Sequence, residues 1–353
     1  MSDALNVTIC VPLGLDPTAA ITRAAGGRQV RVHYHPDLLP PQRHPADHKG
    51  DPAFRRPADA ERRWRRILAG TEVALGFPGD SPDGLRALVA AAPGLRWVQG
   101  TAAGAGEQVS AARLEEPTLA RLAVTSAAGL HAGPLAEFAV FGLLALAKDI
   151  DVLQEASAER RWLPRWPMRL LADSHVLILG LGGIGQEVAR LCSAFGAAVT
   201  GVRRSPGGQI PPGVDQVIGL SDLDTALPSA DAVVVTLPGT QDTRGLLDRR
   251  RLAALPAHAI VVNVGRGSVL DSEALAGALD AGALRGAALD VTDIEPLPST
   301  STLWGRTNVI ISPHTAALTR DEDARIVALF AENLSRFLAG ESLRNRVDPA
   351  AGY

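Results

Sequence analysis

Cysteine occurs only twice in the 353 residues, at Cys10 and Cys192, which excludes a disulfide framework and marks both as reduced core thiols. No apolar run approaches the roughly 20 residues needed to cross a bilayer. The opening stretch, MSDALNVTIC, has no basic segment followed by an apolar one, so no secretory signal and a cytoplasmic location are expected. Excess positive charge is also lacking: the formal net charge is −3, which argues against general nucleic-acid binding. What remains, 46% hydrophobic and 21% charged residues, is ordinary globular usage in a chain long enough for two domains.

Glycine, by contrast, is abundant, and its informative cluster lies in His175 to Gly185, HVLILGLGGIG. Val176 to Leu179 is a short apolar run of the kind buried on both faces of a parallel sheet. Gly180, Gly182 and Gly185 follow in G-x-G-x-x-G spacing. Ile184, Val188, Leu191, Cys192 and Phe195 then recur at helical intervals. A strand entering a helix through this spacing suits a dinucleotide: Gly180 makes the turn, Gly182 lets a pyrophosphate approach, and Gly185 lets helix and strand pack closely. The helix N-terminus faces the anion. The binding set is Gly180, Gly182, Gly183, Ile184 and Gly185.

Before this motif, Val7 to Val11, Gln29 to Val32, Thr71 to Phe77, Leu95 to Val98 and Leu122 to Thr125 read as strands, with short helices over Pro17 to Ala25 and Leu85 to Ala92. From Pro40 to Pro57 the pattern fails in a Pro/Arg/His-rich loop that reads as an insertion. A helix follows it with Trp64, Ile67 and Leu68 on one face. Eight Lys/Arg against four Asp/Glu between Pro41 and Arg66 read as a solvated face. His33, His35, His44 and His48 lack the accompanying ligands of a metal site, and no metal is assigned. The small residues Gly100 to Gly106 could leave backbone N–H groups for a carboxylate or form a flexible turn. Pro134 to Lys148 is a helix apolar enough to require burial between domains or subunits.

After the motif, the apolar runs Ala198 to Val202, Ala232 to Leu237, Ala259 to Val264, Ala287 to Val291 and Val309 to Ser312 alternate with helices. The pattern describes an α/β fold with a doubly wound parallel sheet. Thr319 and Glu322 form a capping-box pair opening a last helix, to Gly340, that returns to the first domain. The expected division is 1–126 with 318–353, and 127–317, with Ser126-Ala127 as a hinge.

Ligands of open α/β sheets bind beyond the carboxyl ends of the strands. There the sequence places Arg266 in Gly265-Arg266-Gly267, Asp290 at a strand end with Glu295 beyond it, and His314 in Ser312-Pro313-His314-Thr315. A 2-oxo acid needs a planar cation for its carboxylate, supplied by arginine, and a proton donor for its carbonyl oxygen, supplied by histidine with a carboxylate behind it. Arg266, His314 and Glu295 fit those roles.

Together, GLGGIG, Thr236-Leu237-Pro238 with Thr243-Arg244-Gly245-Leu246, NVGRGSVLD, ALDV with EPLP, and SPHTA resemble the D-isomer-specific 2-hydroxyacid dehydrogenase family from about Gly94 to Ala317. The resemblance implies Arg266, Glu295 and His314 as the catalytic trio and Asp290 near the nicotinamide carboxamide. It extends the cofactor set to Leu237, Pro238, Thr243, Val264, Gly265 and His314, and places the Ala103 and Gly104 amides on the substrate carboxylate. It also implies a Rossmann-type coenzyme domain, a smaller flavodoxin-like substrate domain and a homodimer joined through the coenzyme domain. Phe77 is a candidate for the acyl side of the pocket. Thr292 stands where the family commonly has phenylalanine.

NAD-preferring members carry an acid after the second strand of the motif; here the sequence reads Val202-Arg203-Arg204-Ser205. Two guanidinium groups and a hydroxyl suit a 2′-phosphate, so NADP(H) is expected over NAD(H), with NAD(H) still possible. The expected activity is reduction of a 2-oxo acid in a cleft between the domains. The alternatives are an NAD(P)H-sensing interaction protein on the same fold and a formate-type dehydrogenase.

Overall fold

In the computed structural model, which describes residues 4–348, the chain forms two compact units: residues up to His131 together with those from Leu318, and Ala132–Ala317. Each is built on its own parallel sheet.

In the first unit β1 (Leu5–Ile9), β2 (Val30–His33), β3 (Val73–Leu75), β4 (Trp97–Gln99) and β5 (Ala123–Thr125) pair in the order β2-β1-β3-β4-β5, all parallel. This is the flavodoxin-like order. The last helix, Glu322–Ala339, buries Ile326, Val327, Phe330 and Leu334 against one face, with the Phe330 ring stacked on Trp97 at 4.8 Å between centroids. Phe77, Leu85, Leu88, Val98 and Trp64 fill the opposite face.

The second unit contains β6 (His175–Leu179), β7 (Ala198–Arg203), β8 (Gln216–Gly219), β9 (Ala232–Val235), β10 (Ile260–Asn263), β11 (Gly286–Leu289) and β12 (Val309–Ile311) in the order β12-β11-β10-β9-β6-β7-β8. Every pairing is parallel. The chain runs outward from β6 in one direction and then in the other, so the switch point of a Rossmann sheet lies between β6 and β9. Within β6, Val176 and Ile178 enter one core and Leu177 and Leu179 the other, as the two-residue period of a doubly covered strand requires. Gly180 turns the chain at φ +104°, and a Cβ on Gly185 would lie 1.9 Å from the Gly180 carbonyl oxygen, so only glycine allows this helix–strand approach.

One expectation is corrected. The capping box at Thr319 and Glu322 does not form: Asp321 is the N-cap, and buried Glu322 turns to His131, Oε1 to Nε2 at 3.2 Å. The Pro40 to Pro57 segment is folded onto its unit. Arg43 grips Asp47 through two bonds of 2.6 and 2.9 Å, and the buried His48 Nε2 lies 2.7 Å from Asp323 Oδ1. The helix Ala132–Ala147 buries Leu135, Ala139, Leu143 and Leu146 within the second unit while leaving Phe141 about half exposed. Burial pushes the thiols of Cys10 and Cys192 up to about 12, so both stay protonated. Among the described residues no helix is long and apolar enough to cross a membrane.

Candidate active site

The register of the second sheet brings six strand ends to one level. Leu179 pairs with Val202 and Val235, Val235 with Asn263, Asn263 with Leu289, and Leu289 with Ile311. The next residues, Gly180, Arg203, Thr236, the Val264-Gly265-Arg266 turn, Asp290 and Ser312 to His314, therefore share one rim.

At the switch point, the helix Gly183–Ala194 has Gly182 as its N-cap and no side-chain cap. Thr236 Oγ1 closes the loop from below, donating to the carbonyls of Leu179 and Gly180 at 3.1 and 2.8 Å. A Cβ at Gly182 would meet nothing within 4 Å. Space above Gly182 and uncapped amides at Gly183, Ile184 and Gly185 form a phosphate cradle. At the end of β7, the partly exposed Arg203 turns toward its following loop, its Nη2 donating to the carbonyls of Pro206 and Gly207 at 3.0 and 2.6 Å, with Nε buried and without a partner among the described residues. Arg204 and Ser205 are exposed. Arg203 thus helps to shape the loop beside the exposed Arg204 and Ser205. Thr243 is likewise a clamp: its hydroxyl donates to Pro238 O at 2.6 Å and accepts from Thr240 N at 2.8 Å. Leu237 and Pro238 belong to the wall it secures. Val264 is buried among core residues, leaving only its backbone to a ligand.

The Arg266 turn is held by Asn263, which is fully buried and was not singled out from sequence. Its Oδ1 accepts from Gly265 N and its Nδ2 donates to Arg266 O, both at 3.1 Å. A polar residue closing an otherwise apolar buried strand is the signal that could have revealed it. A Cβ on Gly267 would come within 1.8 Å of Thr292 O, so the Arg266 turn packs directly on the segment that leads to Glu295. Thr292 N donates to Glu295 Oε1 at 3.1 Å and its hydroxyl to Ile294 O at 2.8 Å.

Asp290 is buried at 2% exposure. One oxygen, Oδ1, accepts from Ser312 Oγ at 2.7 Å and from Thr315 N and Ala316 N at 3.0 Å each, while Asp290 O accepts from His314 N at 2.9 Å. This bracket encloses His314, whose φ of +55° is left-handed. The ring presents Nδ1 to Glu295 Oε2 at 2.8 Å. A carboxylate only accepts, so Nδ1 carries the proton and Nε2 remains for a reacting group.

In the first unit the loop after β4 runs into the helix Ala105–Ala112. Among the described residues, the N–H groups of Ala102, Ala103 and Gly104 have no acceptor. Three successive unspent amides at a helix N-terminus make an anion nest. Phe77, expected to line the acyl pocket, has no exposed surface: its ring packs in the core beneath Gly100. It supports the loop and presents no face to a substrate. Of the four early histidines, His33 meets Asn6 Oδ1 at 3.2 Å, His35 accepts from Arg63 at 2.9 Å, His44 bonds Pro45 O at 2.9 Å, and His48 pairs with Asp323. Among the described residues no group of His, Cys, Asp and Glu is placed to hold a metal.

A phosphate cradle at a Rossmann switch point, with a carboxylate-backed histidine and an arginine turn on the same rim, defines a dinucleotide-dependent oxidoreductase. The profile of the D-isomer specific 2-hydroxyacid dehydrogenase NAD-binding domain matches residues 140–316. A D-isomer specific 2-hydroxyacid dehydrogenase from Xanthobacter autotrophicus Py2, solved with NADPH and MES, superposes with a TM-score of 0.76 at 32% identity, covering 99% of this chain and 100% of that one. The NADPH-dependent glyoxylate/hydroxypyruvate reductase of Sinorhizobium meliloti, solved with NADP and sulfate, gives 0.74 at 26% identity over 99% and 100% of the two chains. Glyoxylate/hydroxypyruvate reductase A of Klebsiella pneumoniae (strain 342) is 34% identical over 218 residues, 62% of this chain and 68% of that protein. The chain belongs to the D-isomer-specific 2-hydroxyacid dehydrogenase family.

Proposed function

We propose that this protein is an NADPH-dependent reductase of 2-oxo acids, working reversibly on the corresponding D-2-hydroxy acids. The observation that carries the reading is the 2.8 Å contact of His314 Nδ1 with Glu295, on the rim that also bears the phosphate cradle and Arg266.

The Gly183, Ile184 and Gly185 amides would hold the cofactor's pyrophosphate, the Leu237-Pro238 and Val264-Gly265 segments would flank it, and Arg204 with Ser205 would meet the 2′-phosphate. When bound, the nicotinamide supplies the hydride or accepts it. The residues do the rest. Arg266 offers a planar fork to the substrate carboxylate. His314 gives its Nε2 proton to the carbonyl oxygen, and Glu295 fixes the ring and stabilises the imidazolium required for reduction. Asp290 keeps His314 in place, and we keep it beside the nicotinamide carboxamide. The Ala103 and Gly104 amides are the other anion-binding feature, and we assign them to the substrate carboxylate.

Two relatives solved with NADPH or NADP support the cofactor assignment, as does the absence of an acid at Arg203 to Ser205. Exposed apolar side chains at Phe141, Trp162, Met168 and Leu170 in the second unit favour pairing with a second copy, and we assign the enzyme to the cytoplasm. The test is NADPH oxidation against glyoxylate, hydroxypyruvate, phenylpyruvate and branched 2-oxo acids. Turnover of at least one, lost in His314→Ala, is expected; turnover of none refutes the reading.

A further inference from the structure

We propose that Asp80 is a positioning residue for the substrate-carboxylate loop, acting through Thr101 and Gln108. The inference rests on the reading that the Ala103 and Gly104 amides bind that carboxylate.

The chain leaves β3 through Phe77 and makes two consecutive left-handed residues, Gly79 at φ +67° and Asp80 at φ +42°. Left-handed backbone is strained for a residue with a Cβ, and aspartate is among the few that visit it. The turn carries the Asp80 carboxylate inward, where it is 8% exposed. Burying a carboxylate is costly unless it is hydrogen-bonded. Asp80 Oδ1 accepts from Thr101 Oγ1 at 3.1 Å, and Asp80 O accepts from Gln108 Nε2 at 3.0 Å. Thr101, 1% exposed, opens the loop. Gln108 lies in the helix that closes it, with its Oε1 buried and without a partner among the described residues, so its amide is held there by the bond to the Asp80 carbonyl. One residue thus grips the chain on both sides of Ala102, Ala103 and Gly104, the residues whose amides are unspent.

Attraction cannot explain the arrangement. A carboxylate beside an anion nest opposes the incoming anion, so the contribution of Asp80 to the nest is geometric. Its loss should loosen the amides without touching hydride or proton transfer.

The assay is steady-state kinetics with the best 2-oxo acid of the panel, with NADPH affinity from cofactor fluorescence and folding from thermal melting. Asp80→Gly removes the carboxylate while keeping the left-handed turn; Thr101→Val removes the hydroxyl at constant shape. Each should raise KM about tenfold, the effect of about one hydrogen bond, with kcat and NADPH affinity unchanged. The double variant should be no worse than either single one. Asp80→Asn keeps an acceptor, tolerates the backbone and lacks the charge, so it should hold KM at or below the wild-type value. The proposal is overturned if Asp80→Gly leaves KM unchanged, if Asp80→Asn is as impaired as Asp80→Gly, or if kcat and cofactor affinity fall with KM. Gly104→Pro, which removes one nest amide, separates the two levels. Unchanged KM there removes the carboxylate loop itself, while a raised KM alongside a normal Asp80→Gly removes only Asp80.

Discussion

Replacing Asp290 tests how His314 is held. In Asp290→Ala the side-chain acceptor of three hydrogen bonds from Ser312, Thr315 and Ala316 disappears, and His314 is left in a left-handed conformation with only its own N–H bonded to residue 290. A hydrogen bond to a charged acceptor contributes about 1.5–3 kcal/mol, and such contributions are not additive within one network. Taking the bracket as about 3–4 kcal/mol, and the left-handed strain it offsets as about 1–2 kcal/mol, the loop relaxes and Nε2 leaves its productive position most of the time. With the strain of about 1–2 kcal/mol no longer offset, and at about 1.4 kcal/mol per factor of ten, kcat should fall roughly 5- to 30-fold. Asp290→Asn keeps one carbonyl oxygen and should lose no more than about threefold, and Ser312→Ala, which removes one donor of three, less still. The assay is saturating turnover, with folding followed by melting and NADPH binding by fluorescence. A folded Asp290→Ala enzyme turning over within threefold of wild type would show that the bracket does not set the position of His314.

Arg204→Ala should weaken NADPH by about 1.5–3 kcal/mol and leave NADH unaffected, because a 2′-phosphate is the group it can grip; Arg203→Ala, which releases the Pro206 and Gly207 carbonyls, should weaken both. Fluorescence titration decides, and equal losses of both cofactors in Arg204→Ala would refute the assignment. Arg266→Lys should stay folded and bind NADPH yet lose most kcat/KM, since a point charge cannot reproduce a two-point grip; near-normal turnover would remove Arg266 from the mechanism. Burial alone would raise the Asp323 carboxyl, but bonds from His48 and Gly14 N hold it below its ordinary value. A lowered folded value stabilises above the unfolded value, about 3.9, and the stabilisation is lost as pH falls through the folded one. Asp323→Asn should therefore lower Tm at neutral pH, and the gap should close below about pH 4. A gap independent of pH would mean that the Asp323 carboxylate does not anchor the Pro40 to Pro57 segment.

Legibility in the sequence followed the strength of the local pattern. Continuous apolar runs bounded by glycine, such as Val176 to Leu179, stand out because burial on both faces leaves little choice of residue. The strand Gln216–Gly219 did not, being at the sheet edge and only partly buried. Arg266, Glu295 and His314 could be named because their chemistry is unusual at strand ends. Asn263 and Asp80 could not, since their roles depend on hydrogen bonds within turns whose backbone angles no periodicity encodes. Arg203 has a second role hidden for the same reason: its charge suggests a ligand, and its Nη2 also donates to the carbonyls of a following turn that is invisible in sequence. His48 and Asp323 are 275 positions apart, beyond the reach of any local reading.

The parallel register explains why so few residues suffice. Once β6 pairs with β7 and β9, and β10, β11 and β12 follow in step, these six strands end at the same height, and whatever each carries next is delivered to a common rim. Hydrophobic burial sets the register, because a one-residue slip would turn the side chains of a strand to the opposite face. The chemistry is therefore positioned first by residues with no chemical role, such as Val234, Val262 and Ala288. What burial cannot do is fix loops to within a fraction of an ångström. That falls to polar side chains at the strand ends, Thr236, Asn263 and Asp290, each spending its hydrogen bonds on the backbone of the adjoining loop. Strain appears where this second layer is strongest: His314 keeps a left-handed backbone because Asp290 over-determines it. Variants of the apolar layer should lower stability and leave the pH dependence of turnover alone, whereas variants of Asn263 or Asp290 should change turnover more than melting.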